Sequence, residues 1–325
     1  MRFAIVGAGA TGGFLGAHLS RAGEDVTLIA RGPHLAAMRA AGVTVRSPDG
    51  DFVAHPTCTD DLAAVGAADA VFLTVKAHAL TAMAPLLGPL LGPETAVIPA
   101  QNGIPWWYFH GAEGPLAGTR LETVDPGGVI DASIDVRRVL GCIVYPATRI
   151  VAPGVIEHIE GNRFTVAELD DSRSERREAV ADALTRAGLR CPTRTRIRSE
   201  LWLKLLGNVA FNPISALTRA TLEDIATMPQ TRDVARAVME EADAVARGLS
   251  VRLDFTVEQR LNGAQRVGQH KTSMLQDVES GRPLEVEALV GAVVELADLL
   301  GVPVPHTRTV YACTRLLDRT LRGVK

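Results

Sequence analysis

"RFAIVGAGATGGFLGAHLSRAG", residues 2–23, decides the fold. A short apolar run, "RFAIV" (2–6), leads straight into G-x-G-x-x-G at Gly7, Ala8, Gly9, Ala10, Thr11 and Gly12. The next stretch, "TGGFLGAHLSRAG" (11–23), reads as a helix with a glycine stop. Strand, glycine turn and helix in this order open a βαβ unit. Gly7 permits the tight turn, Gly9 lets a pyrophosphate approach the backbone, and Gly12 lets the helix pack on the strand. The phosphates would sit on the helix N-terminus, where N–H groups and the dipole favour anions. A signal peptide with Arg2 as its charged region is the rival reading. Glycines at 7, 9, 12 and 13 break an apolar helix and argue against it.

Outward from this unit the pattern repeats. "DVTLIA" (25–30), "DAVFLTVK" (69–76) and "TAVIPA" (95–100) read as apolar strands, and "PHLAAMRAA" (33–41) as a helix. Such strands alternating with helices predict a parallel sheet covered on both faces. From about 120 to 169 the chain is rich in β-branched residues and turn signals, which predicts antiparallel strands added to that sheet. "SERREAVADALTRAG" (174–188) is a closing helix. Beyond about 195 the expectation is helices near 197–212, 228–248, 254–266, 285–300 and 306–320. The expected fold is α/β, a Rossmann-type doubly wound N-terminal domain (1–193) followed by an all-α C-terminal domain (194–325), hinged near 191–197.

The chain has 325 residues, enough for two cores. It is 47% hydrophobic and 22% charged with a net charge of −3, so the basic footprint of a nucleic-acid binder is missing. Cys58, Cys142, Cys191 and Cys313 form no CxxC or CxxH pair, which argues against a zinc site or disulfide framework. No run of about 18 apolar residues predicts a membrane span. A cytoplasmic protein with a small-molecule partner and no metal is expected.

The second strand ends "LIARG". Where an NAD enzyme carries Asp or Glu, this chain has Ala30 and then Arg31. A guanidinium suits a 2′-phosphate and cannot accept from a ribose hydroxyl, so NADPH is the expected cofactor. Two further strand ends carry Lys76, within reach of a cofactor phosphate, and Gln101, Asn102 and Gly103, where Asn102 could bridge cofactor and substrate. A solvated lysine and a turn asparagine are the plainer readings.

"ELWLKLLGNVAFNPISALT" (200–218) is a greasy helix with Lys204, Asn208 and Asn212 recurring every four residues. Steps of four drift about 40° each, so the three share one stripe. Facing an interdomain cleft, that stripe could meet an anionic substrate and donate to an oxyanion; a stripe facing water is the alternative. Pro213 is expected to end or kink the helix at Asn212. A later block, "HKTSMLQDVESGRPLEVEALV" (270–290), has Ser273 ahead of a helical turn and Glu285 opening an amphipathic helix to about Leu300. His110, His158, His270 and His306 are read as loop or element-end residues, His78 as a loop or helix-start residue, and none as a rival acid.

Taken in order, "GAGATGG", "VTLIAR", "TVKAH", "QNG", "LWLKLLGNVAFNPISAL" and "TSMLQDVESGRPLEVE" resemble the ketopantoate reductases (2-dehydropantoate 2-reductases), within the 6-phosphogluconate-dehydrogenase-like group. The resemblance covers nearly the whole chain. It implies NADPH-dependent reduction of a 2-oxo acid, ketopantoate to pantoate, in pantothenate biosynthesis. A homodimer is a further expectation, which the sequence by itself does not settle. By position the resemblance implies Lys204 as proton donor and Asn208, Asn212 and Ser273 as substrate contacts. Asn102 would touch both cofactor and substrate, Lys76 the cofactor, and Glu285 the nicotinamide ribose and active site. Two departures stand out. The family's T-E-I-D reads "LEVE" here, and the segment after "QNG" is long and aromatic at Trp106, Trp107, Tyr108 and Phe109. That run could wall the pocket, cap the nicotinamide or pack a loop. It motivates an alternative, a same-scaffold reductase of a bulkier oxo acid, oxo-lactone or imine. A non-catalytic NADPH-binding regulator is the alternative from another class.

Overall fold

A computed structural model describes residues 1–114, 116–192 and 196–323. They form two compact units, one of residues 1–101, 109–113 and 127–197 and the other of 102–108, 114–126 and 198–325. The sequence reading ran the first domain unbroken to 193. Its boundary between 193 and 194, and the centre of its hinge, lie outside the described residues.

The first unit opens as expected with β1 (Arg2–Val6), α1 (Ala10–Arg21), β2 (Asp25–Ile29) and α2 (Gly32–Ala41). A short hairpin follows, β3 (Val43–Arg46) and β4 (Phe52–Ala54), then β5 (Thr57–Thr59), β6 (Ala68–Leu73), α3 (Ala77–Met83) and β7 (Leu91–Pro99). The main sheet is five-stranded in the order β5-β2-β1-β6-β7, and every neighbouring pair is parallel. Phe3, Ile5, Phe14, Leu28, Phe72 and Ile98 are buried together in its core. Parallel strands buried on both faces read as continuous apolar runs, which is why they were legible.

The region after 120 departs from expectation. Residues 126–138 form short helical turns, including α4 (Val129–Ser133). The strands start later, as β8 (Gly141–Val144), β9 (Ala147–Ala152), β10 (Val155–Glu160) and β11 (Phe164–Ala167). They do not extend the main sheet. β10 lies between β3 and β9 in a four-stranded sheet, parallel to β3 and antiparallel to β9, while β11 pairs with β8 alone. An isolated bridge joins Val97 of the main sheet to Val139, just before β8. β-branched patterning specifies strand conformation and not the partner; the β3 edge, supplied by a hairpin of four- and three-residue strands, took β10. α5 (Glu175–Arg186) closes the unit, capped by Ser174, whose Oγ accepts from the Arg177 N–H.

The second unit holds α6 (Ile197–Thr218, its first residue counted with the first unit), α7 (Leu222–Thr227), α8 (Pro229–Gly248), α9 (Val257–Val267) and α10 (Ser273–Glu279). A π-turn (Glu287–Gly291), α11 (Ala292–Leu300) and α12 (Pro305–Leu321) complete it. The expected break at Pro213 does not occur, and α6 runs to Thr218. Proline removes one ladder bond, at about 3 kcal/mol. Burial of Phe211, Ile214 and Ala216 around it offsets that cost, and Ser215 Oγ donates to the Ala220 carbonyl just past the helix end.

Segments 102–108 and 114–126 join this unit for a visible reason. Trp106, Trp107 and Tyr108 are buried. Trp202 Nε1 donates to Tyr108 Oη at 2.7 Å, and Arg198 Nε to the Tyr108 carbonyl at 3.0 Å. Glu295 accepts from the Glu122 and Thr123 N–H groups at 2.8 and 3.0 Å. Among the described residues no helix is long and apolar enough to cross a membrane.

Candidate active site

In the first unit the glycine turn is built as its sequence implies. Gly7 has φ +101°, and a Cβ there would stand 2.6 Å from the Val75 nitrogen. Its own N–H and that of Ala8 donate to the Ile29 carbonyl at 3.1 and 2.9 Å, tying the turn to the end of β2. Thr74 Oγ1 donates to the Gly7 carbonyl at 2.9 Å, and a Cβ on Gly12 would meet that hydroxyl at 2.4 Å. Gly9 is open by contrast: a Cβ on it would meet only the Gly7 carbonyl, at 3.9 Å. Gly9 also caps α1 without any side-chain hydrogen bond, and the first turn, which Ala10 and Thr11 begin, carries no acidic residue. The N–H groups of that turn are therefore left for an anion.

Beside the turn lies a cavity of about 360 Å³, walled by Gly7, Ala8, Gly9, Ala30, Arg31 and His34 among others. Arg31 is exposed at the start of α2. No carboxylate ends β2, as the sequence indicated. His34 was missed. Its Nδ1 accepts from the Gly154 N–H at 2.9 Å, and burial pushes its pKa down, so a neutral ring is expected. Lys76 caps α3 just after β6, where Val75 contributes to the cavity wall. Gln101 Nε2 donates to the Leu73 and Val75 carbonyls at 2.7 and 3.0 Å, fixing that strand end. Open glycine backbone and an uncapped helix N-terminus, on a cavity whose wall also carries Arg31 and Asp60, fit a dinucleotide.

In the second unit Lys204, Asn208 and Asn212 all lie on α6. Lys204 and Asn208 are half-buried, and Asn212 is 4% exposed. Lys204 Nζ donates to Asn102 Oδ1 at 2.6 Å. Asn212 Nδ2 is buried with no hydrogen-bond partner among the described residues. Nearly all buried polar groups are satisfied in folded proteins, and this amide is one of a few buried atoms, with His34 Nε2, Trp107 Nε1 and Thr165 Oγ1, that have no partner among the described residues. The water-facing reading of the stripe therefore does not hold at Asn212. Ser273 is the exposed first residue of α10, whose cap is Thr272. Glu285 is half-buried just before the helical segment starting at Val286, and its carbonyl accepts from the Leu289 N–H at 3.2 Å. Glu287, the departure from the family's aspartate, accepts from Tyr311 Oη at 2.5 Å.

The aromatic run is buried. Trp106, Trp107, Tyr108 and Phe109 are 5%, 0%, 2% and 4% exposed. Burial pushes the Tyr108 hydroxyl up to about 12, so it stays protonated while accepting from Trp202. Of the histidines, His158 departs from its reading: it lies within β10, its Nδ1 2.9 Å from Ser47 Oγ. His110, in a turn, and His306, at the start of α12, stand where expected, and each has a carboxylate far along the chain, Asp131 at 2.7 Å and Glu241 at 2.7 Å.

A doubly wound sheet with a phosphate-ready glycine turn, joined to a helical unit with a lysine–asparagine stripe, defines a dinucleotide-binding oxidoreductase. The family descriptions "Ketopantoate reductase PanE/ApbA" and "Ketopantoate reductase PanE/ApbA C terminal" match residues 3–171 and 196–318. The chain belongs to the ketopantoate reductase family and is an NAD(P)H-dependent oxidoreductase. It is 48% identical over 318 residues to a 2-dehydropantoate 2-reductase of Mesorhizobium japonicum, covering 98% of each chain. It superposes with TM-score 0.85 on a ketopantoate reductase of the PanE/ApbA family from Ralstonia eutropha, at 29% identity over 99% of this chain and 100% of that one. A D-mandelate dehydrogenase solved with NADH and anilino(oxo)acetate shares the fold, with TM-score 0.84 at 20% identity over 99% and 100% of the two chains.

Proposed function

We propose that this protein reduces 2-dehydropantoate to pantoate with NADPH, a step of pantothenate biosynthesis. The observation that carries the reading is the Lys204–Asn102 hydrogen bond, which aims an ammonium carried on the same helix as the unpartnered Asn212 amide. The relative of Mesorhizobium japonicum, named for this reaction, supports the substrate. Burial of the aromatic run removes the reason for preferring a bulkier substrate.

The glycine turn and the N-terminus of α1 hold the pyrophosphate, with Lys76 as a further phosphate contact, and Arg31 holds the 2′-phosphate. When bound, the reduced nicotinamide supplies a hydride to the ketone carbon. Lys204 donates a hydrogen bond to the ketone oxygen, stabilises the charge growing there and then gives it a proton. Asn102 Oδ1 holds Nζ in place for that transfer. Asn208, Asn212 and Ser273 hold the carboxylate and hydroxyl groups of the oxo acid. Glu285 borders the nicotinamide ribose. NADPH in place of NADH rests on Arg31 and on the missing acidic residue at the end of β2. Homodimerisation and a cytoplasmic location belong to the same reading.

A panel of 2-oxo acids, assayed by consumption of NADPH, tests it. The expected result is the highest kcat/KM for 2-dehydropantoate. A higher value for an aryl or longer-chain oxo acid would replace the substrate assignment.

A further inference from the structure

The helical segment that begins at Val286 is not α-helical in its first full turn. Glu287–Gly291 form a π-turn before α11 continues. Such a turn inserts one extra residue into the α ladder and is rare. This one serves as an anchor. The Ala288 carbonyl accepts from the Ile104 N–H at 2.8 Å. Gly103 lies flat on the same group: its φ is +89°, and a Cβ would stand 2.2 Å from the Ala288 oxygen and 2.4 Å from its carbonyl carbon. The two residues after Asn102 are thus fastened to one carbonyl of the turn.

The other side of the turn is pinned from α12. Tyr311 Oη donates to Glu287 Oε2 at 2.5 Å, and Arg315 Nε stands 3.2 Å from Glu287 Oε1. Gly291 makes room for this, since a Cβ there would lie 2.5 Å from Glu287 Oε2 and 2.9 Å from Tyr311 Oη. Lys204, meanwhile, is fixed on α6 by its buried neighbours Trp202, Leu205 and Leu206. The 2.6 Å contact from Lys204 to Asn102 therefore depends on where the π-turn puts the Ala288 carbonyl. Losing the extra residue would rotate that carbonyl about 100° around the helix.

We propose that the π-turn Glu287–Gly291, pinned by Tyr311, positions Asn102 for Lys204, making Gly103, Glu287 and Tyr311 positioning residues for the reduction. The proposal rests on the role given to Lys204 above. Residues of three separate segments then act on one ammonium without touching the oxo acid.

Steady-state kinetics with 2-dehydropantoate and NADPH, on Gly103→Ala, Tyr311→Phe and Lys204→Ala, test it. Rates are taken per folded active site, titrated by NADPH binding. Gly103→Ala lowers kcat about 10²-fold, the scale of a 1 Å misplacement, and Tyr311→Phe about tenfold, with KM for NADPH unchanged in both. Saturating NADPH does not restore kcat in either variant. A merely structural role would lower thermal stability and leave kcat per site at the wild-type value. If Gly103→Ala does not fold, Tyr311→Phe decides alone: a wild-type kcat overturns the proposal. If Lys204→Ala itself keeps its kcat, the role of Lys204 fails; if Lys204→Ala is inactive while the other two behave as wild type, only the positioning role fails.

Discussion

Lys204 Nζ donates to Asn102 Oδ1 at 2.6 Å, joining two residues of the second unit that are 102 apart in sequence. Asn102 arrives on a segment that leaves the main sheet after β7, and Lys204 arrives on α6. A lysine side chain held by an amide oxygen keeps its direction, which is what a proton donor to an alkoxide needs.

Asn212→Leu separates function from stability. Its Nδ2 is buried and unpartnered among the described residues, so replacing the amide by an apolar group of similar size should leave the melting temperature equal or higher. Activity should still fall about 10- to 100-fold, because the lost group is a substrate contact. Calorimetry and kinetics on the same preparation check this. A destabilised but fully active variant would mean the amide serves the core.

Arg31→Ala should raise KM for NADPH about 10- to 100-fold, the worth of a charge-assisted contact, and leave KM for NADH nearly unchanged. Parallel titration of both cofactors measures it. Equal effects on the two would place the 2′-phosphate elsewhere.

Tyr108→Phe tests the reading of the aromatic run as core. It strips Trp202 Nε1 of its acceptor inside the protein, at about 1–3 kcal/mol of stability. KM for the oxo acid should not change. A several-fold change in KM with unaltered stability would put the run at the pocket after all.

Glu241 on α8 gives a pH-dependent prediction. Its carboxylate accepts from the N–H and Nδ1 of His306 at 3.0 and 2.7 Å, and from the N–H and Oγ1 of Thr307 at 2.8 and 2.7 Å. It thereby anchors the first turn of α12. Burial opposes its charge, but these four donors outweigh burial and hold its pKa below the ordinary value of 4.5. A depressed carboxylate stabilises the fold above its unfolded pKa, and that stability is lost as pH falls through the folded value. Glu241→Gln should therefore lower the melting temperature at neutral pH, by about 1–3 kcal/mol of stability, and the difference should close below about pH 4. Melting curves across pH read it directly.

Local patterns carried most of what the sequence revealed. The turn from β1 into α1 depends on six consecutive residues, and the α6 stripe on a four-residue spacing. Both were legible because helix and turn geometry repeat at short range. Pairings over long separations were not. Nothing in "VTVR" (43–46) says that it will pair in parallel with β10. Nothing in the aromatic run says that Tyr108 will meet Trp202, 94 residues on. The π-turn at Glu287–Gly291 escaped because one extra residue leaves apolar periodicity almost unchanged over so short a span. Pro213 misled because propensity was weighed without the burial around it.

The most direct test of the account is kcat of Lys204→Ala with 2-dehydropantoate and saturating NADPH, on protein shown by its melting curve to be folded. A fall of about 10²- to 10⁴-fold, the range for one acid–base group, is the predicted result. A folded variant within a few-fold of wild type would contradict the assignment of Lys204 as the proton donor.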